Sequence, residues 1–221
     1  GSYDTYNYFP DIGQVVGSGD TDYFGGGLLS RLDFPTSSGA MYVEVSGRIG
    51  RSSNEYQSAD LDSPGGGISK YSSTTPYYGV HVGVGHEFSF DEANSLDLYG
   101  KYLWTRQKGD DVTMSTGERI SFDDVDSHRL KAGARYTRGL SPMLGVYGGA
   151  AYEHELDGKA SAAVFGLPIE APEMRGGTGV GELGLTINPM ASGAVNLDLG
   201  VEGYVGKRRG VTGSLKVNFE F

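Results

Sequence analysis

The sequence predicts an all-β protein, specifically an antiparallel transmembrane β-barrel, and three observations support this. Apolar and polar residues alternate in segment after segment, which is the period of a strand with two different faces. The 221 residues include 37 glycines and 15 tyrosines, a composition that favours strands and close backbone approach over helices. Short turns alternate with longer polar links, as in barrels whose two rims differ. We therefore expect a single barrel domain over residues 1–221.

Composition excludes several other classes of protein. The formal net charge is −10, which argues against a nucleic-acid partner because phosphate binding needs concentrated lysine and arginine. The chain contains no cysteine, so disulfides and thiolate metal sites are excluded. No apolar run approaches the ~18 residues that a membrane-spanning helix requires.

The N-terminal half contains five predicted strands. Met41, Val43 and Val45 alternate with Glu44 and Ser46, so one side of that segment is apolar and the other polar. The same division recurs at 80–90 and 96–102. A partial strand is predicted at 3–9, and the segment 23–31 brings the number to five.

The C-terminal half continues the pattern. Leu197 and Leu199 alternate with Asn196 and Asp198, and the chain ends on Phe221. The predicted strands lie at 128–136, 144–155, 183–187, 195–205 and 211–221.

The links between these strands differ in length. Brief turns are predicted at 35–38, 91–93, 140–142 and 188–191, and longer polar links near 52–75, 107–126 and 157–174. Outer-membrane barrels place short turns on the periplasmic rim and long loops outside.

The polar face of the predicted strands is rich in charge. In a barrel wide enough for water, these side chains would line a hydrated lumen, where opposite charges on neighbouring strands can pair. The predicted lumen-lining residues are Glu44, Arg48, Lys101, Arg129, Lys131, Arg135, Glu153, Glu182, Asp198, Glu202 and Lys216.

Many glycines lie inside these strands, where glycine ordinarily weakens a sheet. They occur beside tyrosines such as Tyr99, Tyr147 and Tyr204. We expect the aromatic rings to lie over bare glycine backbone, or the glycines to permit the coiling of a closed barrel.

Five blocks of the sequence together resemble the C-terminal translocator (β) domain of autotransporters, the type V secretion proteins. They are Tyr23–Arg31, Tyr77–Phe88, Ser95–Tyr102, Phe122–Leu130 and Gly203–Ser214, and they occur in order over nearly the whole chain.

The resemblance implies a bacterial outer-membrane barrel of twelve antiparallel strands, an N-terminal helix in the pore and export of an upstream passenger domain. About ten strands are represented here. The segment Tyr3–Phe9 resembles part of the third strand of the family. We therefore expect an N-terminally incomplete domain, whose partners are outer-membrane lipid, the barrel assembly machinery and the passenger.

The closing strand resembles the signal that the assembly machinery reads by strand addition. The residues that would carry this signal are Leu215, Val217, Phe219 and Phe221. The same side chains would also face lipid.

Two alternatives remain at this point, a small porin-like channel and an outer-membrane protease acting at the rim. For the protease, Asp123, Asp124, Asp126 and His128 lie in one link and could activate water, but a solvated acidic loop is the simpler interpretation. His81, His86 and His154 have no metal-ligand spacing. We expect no enzymatic activity, no metal and no cofactor.

Overall fold

The computed structural model describes residues 2–8, 15–58, 68–164, 166–169, 174–189 and 195–219. In these ranges the chain forms strands and turns, and no helix there has the length and hydropathy needed to cross a membrane. The strands are β1 (Ser2–Tyr8), β2 (Val15–Thr36), β3 (Gly39–Ser58), β4 (Ser69–Ser89), β5 (Asn94–Gln107), β6 (Asp111–Thr113), β7 (Arg119–Phe122), β8 (Val125–Ser141), β9 (Leu144–Glu155), β10 (Ala162–Val164), β11 (Leu167–Ile169), β12 (Gly176–Ile187), β13 (Val195–Gly206) and β14 (Gly210–Phe219).

Ten of these strands form one antiparallel sheet, in the order β1-β2-β3-β4-β5-β8-β9-β12-β13-β14. Within this sheet each strand pairs with the strands that precede and follow it along the chain. Some of these pairs are joined by short turns, and Thr36 pairs with Gly39 across one of them. By contrast, β5 and β8, and β9 and β12, are joined by the long links. The predicted fold class is confirmed, since nine long strands follow the short β1 in a curled, all-antiparallel sheet.

The register assigns each strand an apolar face and a polar face. Glu44 on β3 pairs with Arg31 on β2 and with Gly83 on β4, and all three belong to the polar face. Val43 and its partner Val84 belong to the apolar face. We call these two surfaces of the ten-stranded sheet the polar face and the apolar face.

One predicted link was placed wrongly. The segment 52–75 was expected to be a polar link, but β3 continues to Ser58 and β4 begins at Ser69. Serine, threonine and asparagine occupy both faces there, so the alternation that marks a half-buried strand is absent. The backbone ladder nevertheless continues, with Asn54 paired to Ser73.

The other two long links contain a second sheet that the sequence pattern did not predict. Its four strands have the order β11-β10-β7-β6, and they come from links 107–126 and 157–174. Ser121 of β7 pairs with Asp111 of β6 and with Ala163 of β10. Each strand has only three or four residues, too few for a period to be recognised.

The second sheet packs against the N-terminal end of β4. The amide of Ser115 donates to the carbonyl of Lys70 at 3.0 Å. The ring of Phe122 lies 5.7 Å from that of Tyr71, which stacks on Tyr56 at 5.5 Å between centroids. These contacts hold the two long links over one end of the ten-stranded sheet.

Candidate functional site: the two faces of the sheet

Burial in the ten-stranded sheet is the reverse of that in a water-soluble protein. Glu44, Glu153 and Glu182 are only 5–8% exposed, whereas Leu28 is 85% exposed and Leu183 is 71% exposed. Charged side chains are rarely buried, and large contiguous apolar surfaces are rarely left in water. The arrangement matches a sheet with lipid on its apolar face and polar partners on the other.

The polar face is held together by ion pairs that cross an intervening strand. Glu44 on β3 accepts from Lys101 on β5 at 2.5 Å. Arg135 on β8 donates through two nitrogens to Glu182 on β12, at 2.8 and 2.7 Å. Strands two apart lie about 9–10 Å from each other, so such contacts require side chains that converge. The sheet therefore curls toward its polar face.

Glycine on the intervening strand makes these crossings possible. A Cβ atom on Gly83 would lie 2.9 Å from the Glu44 side chain, and one on Gly79 would lie 2.5 Å from the Arg48 guanidine. The paired side chains lie directly over the glycine backbone. The crossing over Gly79 joins Arg48 to Thr105, and two further crossings have the same construction: Tyr42 to Asp97 over Gly85, and Tyr147 to Asp198 over Gly184.

The expectation that tyrosine rings cover glycine is confirmed at two of the three tyrosines. Tyr99 lies over Gly133, and Tyr147 lies over Gly184. Tyr204 was predicted wrongly, because its hydroxyl donates to Glu202 and the Arg208 guanidinium lies 4.3 Å from its ring centroid. The register places Val180 and Gly210 beside Tyr204. The ring of Tyr204 lies against the Arg208 guanidinium rather than over a glycine.

A second charge cluster lies near the long links. Glu153 lies 3.4 Å from Arg129 and 3.2 Å from Arg208, which belongs to the turn between β13 and β14. Arg129 also lies 3.6 Å from Glu155, which accepts from the Ser127 hydroxyl at 2.6 Å. This cluster joins β8 and β9 to the β13–β14 turn.

All eleven charged residues proposed to line a lumen share the polar face by register. Of these, the structure brings together Glu44 with Lys101, Arg135 with Glu182, and Arg129 with Glu153. Lys131 pairs with Lys101 and Glu153 in the ladders, Glu202 pairs with Glu182, and Lys216 pairs with Asp198. That this face encloses a water-filled lumen stays a prediction.

The residues proposed as an assembly signal are placed in part. Leu215 and Val217 lie on the apolar face of β14 and are exposed. Phe219 is the last residue of that strand. Phe221 lies outside the described residues.

The acidic link proposed as a protease rim is not assembled as a catalytic pair. Asp124 accepts from the Lys108 ammonium at 2.7 Å and from the Gly109 amide at 2.9 Å, and the Lys108 contact is the main reason that the pKa of Asp124 falls to about 2. His128 points to the apolar face, where it hydrogen-bonds to the hydroxyl of Tyr102 at 2.7 Å. The two groups lie on different surfaces and have separate partners.

One polar cluster was missed by the sequence reasoning. Ser46 of β3 pairs with His81 of β4, and the Ser46 hydroxyl lies 2.5 Å from His81 Nδ1. His81 Nε2 lies 2.9 Å from Glu44 Oε1. Alternation alone does not reveal this cluster, because the strand register that places Ser46 opposite His81 cannot be read from it. Among the described residues, no three histidine or carboxylate side chains are grouped to hold a metal ion.

Comparison with known proteins is consistent with this geometry. The sequence model of the family described as Autotransporter beta-domain matches residues 2–214, which is nearly the whole chain. No curated protein sequence matches the chain significantly.

Proposed function

Because the chain belongs to the autotransporter β-domain family, we propose that it anchors in the bacterial outer membrane and exports an upstream passenger polypeptide. In this proposal the polar face lines a hydrated lumen, and the apolar face contacts lipid. The passenger crosses in extended form, and its folding outside the cell draws the chain through. The family is one of outer-membrane translocators, which supports the location.

The observation that carries the proposal is the reversed burial of the ten-stranded sheet. Carboxylates that are less than a tenth exposed share one face, and leucines that are more than two thirds exposed share the other. A bilayer would supply an apolar environment for these leucines, whereas an arginine or lysine on the lipid side would cost about 2–4 kcal/mol at mid-depth.

Export can be tested with a fusion. We would place a signal peptide and an epitope-tagged passenger before Gly1, express the fusion in a Gram-negative host and add protease to intact cells. Loss of the tag to external protease, with the barrel retained in the outer-membrane fraction, would support export. A tag that stays protected in cells whose barrel is correctly inserted would contradict it.

The closing strand offers a further test of the proposed function. We expect Phe221→Ala to lower the amount of folded barrel in the outer membrane several-fold, because the terminal aromatic contributes to the signal for strand addition. Asp124→Ala changes only the exposed long link and is the control. Folded protein is measured as the fraction that migrates differently in gels before and after boiling. Equal yields of the two variants would show that Phe221 is not part of the signal.

A further inference from the structure

The polar face contains a serine, a histidine and a glutamate joined in one hydrogen-bonded chain. Ser46 Oγ lies 2.5 Å from His81 Nδ1, and His81 Nε2 lies 2.9 Å from Glu44 Oε1. A carboxylate can only accept, so Nε2 carries the hydrogen of the neutral imidazole. Nδ1 then has the free lone pair, and the Ser46 hydroxyl donates to it.

We propose that Ser46, His81 and Glu44 form a nucleophile, base and orienting acid for acyl transfer to a carboxylic ester or peptide carbonyl. The three roles are recognised by hydrogen bonding rather than by position in the sequence. Here the serine faces Nδ1 and the acid faces Nε2 of the imidazole, the reverse of the usual serine triad. This activity goes beyond export, and it neither requires export nor is required by it.

The supporting contacts hold the chain of three groups in one orientation. Glu44 is 7% exposed, and the Lys101 ammonium at 2.5 Å fixes the carboxylate that faces His81. Gly83, opposite Glu44 in the register, has no side chain and so leaves space for those of Glu44 and Lys101. The imidazole therefore has one ring nitrogen committed to Glu44 and the other directed at Ser46.

The residues in the same row suggest which substrates fit. Leu29 pairs with Ser46, and Leu103 pairs with His81, so two leucines flank the serine and histidine on the polar face. Leu29 is 63% exposed and is open to contact. An acyl group or residue with an apolar side chain would cover these leucines and remove their surface from water.

Arg48 is the candidate cation for the oxyanion. Arg48 is the next polar-face residue after Ser46 along β3, about 7 Å away at the backbone. Its guanidinium reaches over Gly79 and donates to Thr105 at 2.9 Å. A cation beside the reacting carbonyl stabilises the developing negative charge.

The chemical step balances with water as the only co-reactant. Ser46 Oγ forms a bond to the carbonyl carbon and passes its proton to His81 Nδ1. The bond from that carbon to the leaving oxygen or nitrogen then breaks, and His81 gives the proton to the leaving group. Water then passes a proton to His81 and bonds to the acyl carbon. The bond from that carbon to Ser46 Oγ breaks, His81 returns the proton to Ser46, and a carboxylic acid is released.

A fluorophosphonate probe, which phosphonylates activated serines, tests the proposal on the folded chain in detergent micelles. We expect one probe per chain by intact mass, located at Ser46 by peptide mapping, and no labelling of a boiled sample. Ser46→Ala should abolish labelling. His81→Asn should slow it at least ~100-fold, in line with the usual contribution of a general base.

The matched control is Ser214→Ala. Ser214 faces the same side from β14, where it pairs with Gly200, and this variant should label at the rate of the unmodified chain. Each variant is first checked for heat-modifiable mobility, and the comparison of folded with boiled protein stands if a variant does not fold. Absence of labelling in the folded chain, or labelling that survives Ser46→Ala, would overturn the proposal without bearing on export.

Discussion

Glycine has two different uses in this sheet, which one residue on each face illustrates. On the polar face, Gly149 lies beneath the Arg135–Glu182 pair, and a Cβ atom there would lie 2.7 Å from the carbonyl oxygen of Ala134. On the apolar face, a Cβ atom on Gly181 would meet nothing within 4 Å. The two residues occupy neighbouring rows of the same ladder, since Gly149 pairs with Glu182 and Gly181 with Ala150.

We therefore expect Gly149→Val to destabilise the folded sheet by about 1–3 kcal/mol, the usual cost of overpacking. Gly181→Val should change stability by less than about 0.5 kcal/mol, because its side chain enters open space. The free energy of unfolding is measured by urea titration in lipid vesicles. Similar losses in the two variants would refute the distinction between these two positions.

Asp124 provides a pH-dependent contact in the exposed long link. Its folded pKa of about 2 lies below the ordinary value of 3.8, so the folded link favours the ionised carboxylate. The resulting stabilisation is complete above 3.8 and is lost as the pH falls through about 2. Because the group is exposed, salt should weaken the effect.

The amide of Gly109 donates to Asp124 and can report this titration. We expect its proton chemical shift to change with an apparent pKa near 2 and to be insensitive to acid in Asp124→Asn. A midpoint near 3.8 in the unmodified chain would show that the contacts with Lys108 and Gly109 do not form in solution.

At the scale of elements, alternation was sufficient to predict the strands whose two faces differ in polarity. It predicted β3 through its core of Met41, Val43 and Val45, because there the two environments differ. It could not predict the end of β3 at Ser58, where both sides of the strand are polar. It also could not predict the register, and hence the meeting of Ser46 with His81, because alternation fixes the face of a residue but not its partner.

The apolar face of β12 should tolerate no charge. Leu183 is four residues from the end of its strand at Ile187. For a tilted strand this places it about 10 Å from the rim, measured perpendicular to the rim, and so near the middle of an apolar band of about 25 Å. We expect Leu183→Arg to cost about 2–4 kcal/mol of stability in lipid vesicles.

Thr212→Arg is the matched control on the polar face. Thr212 pairs with Glu202, so a new arginine there would meet a carboxylate, and the expected change is below about 1 kcal/mol. A tolerated Leu183→Arg would argue that the face does not contact lipid.

On the scale of the whole molecule, the number of strands matters. Within the described residues, β1 pairs with β2 and β14 pairs with β13, so each has one remaining edge. The ten strands alternate in direction, so the first and the last run in opposite directions. Their free edges can therefore pair as an antiparallel ladder. An even number of strands is also the rule among bacterial outer-membrane barrels.

We expect the purified chain, refolded in detergent, to show a fast-migrating band that slows on boiling, together with a β-rich circular dichroism spectrum. Closure of the sheet would make it resistant to the detergent in the gel, since no edge would remain open. A single mobility before and after boiling would mean that these two edges do not pair with each other.

The second sheet implies an order of folding. It pairs Ser121 with Ala163, two residues on links that flank the β8–β9 hairpin. Such non-local pairing must wait until the intervening strands have fixed the ends of both links, because loop-closure entropy opposes it before then. We therefore expect the pairing of Ser121 with Ala163 to form late, so that its appearance would mark the completion of the strands between the two links.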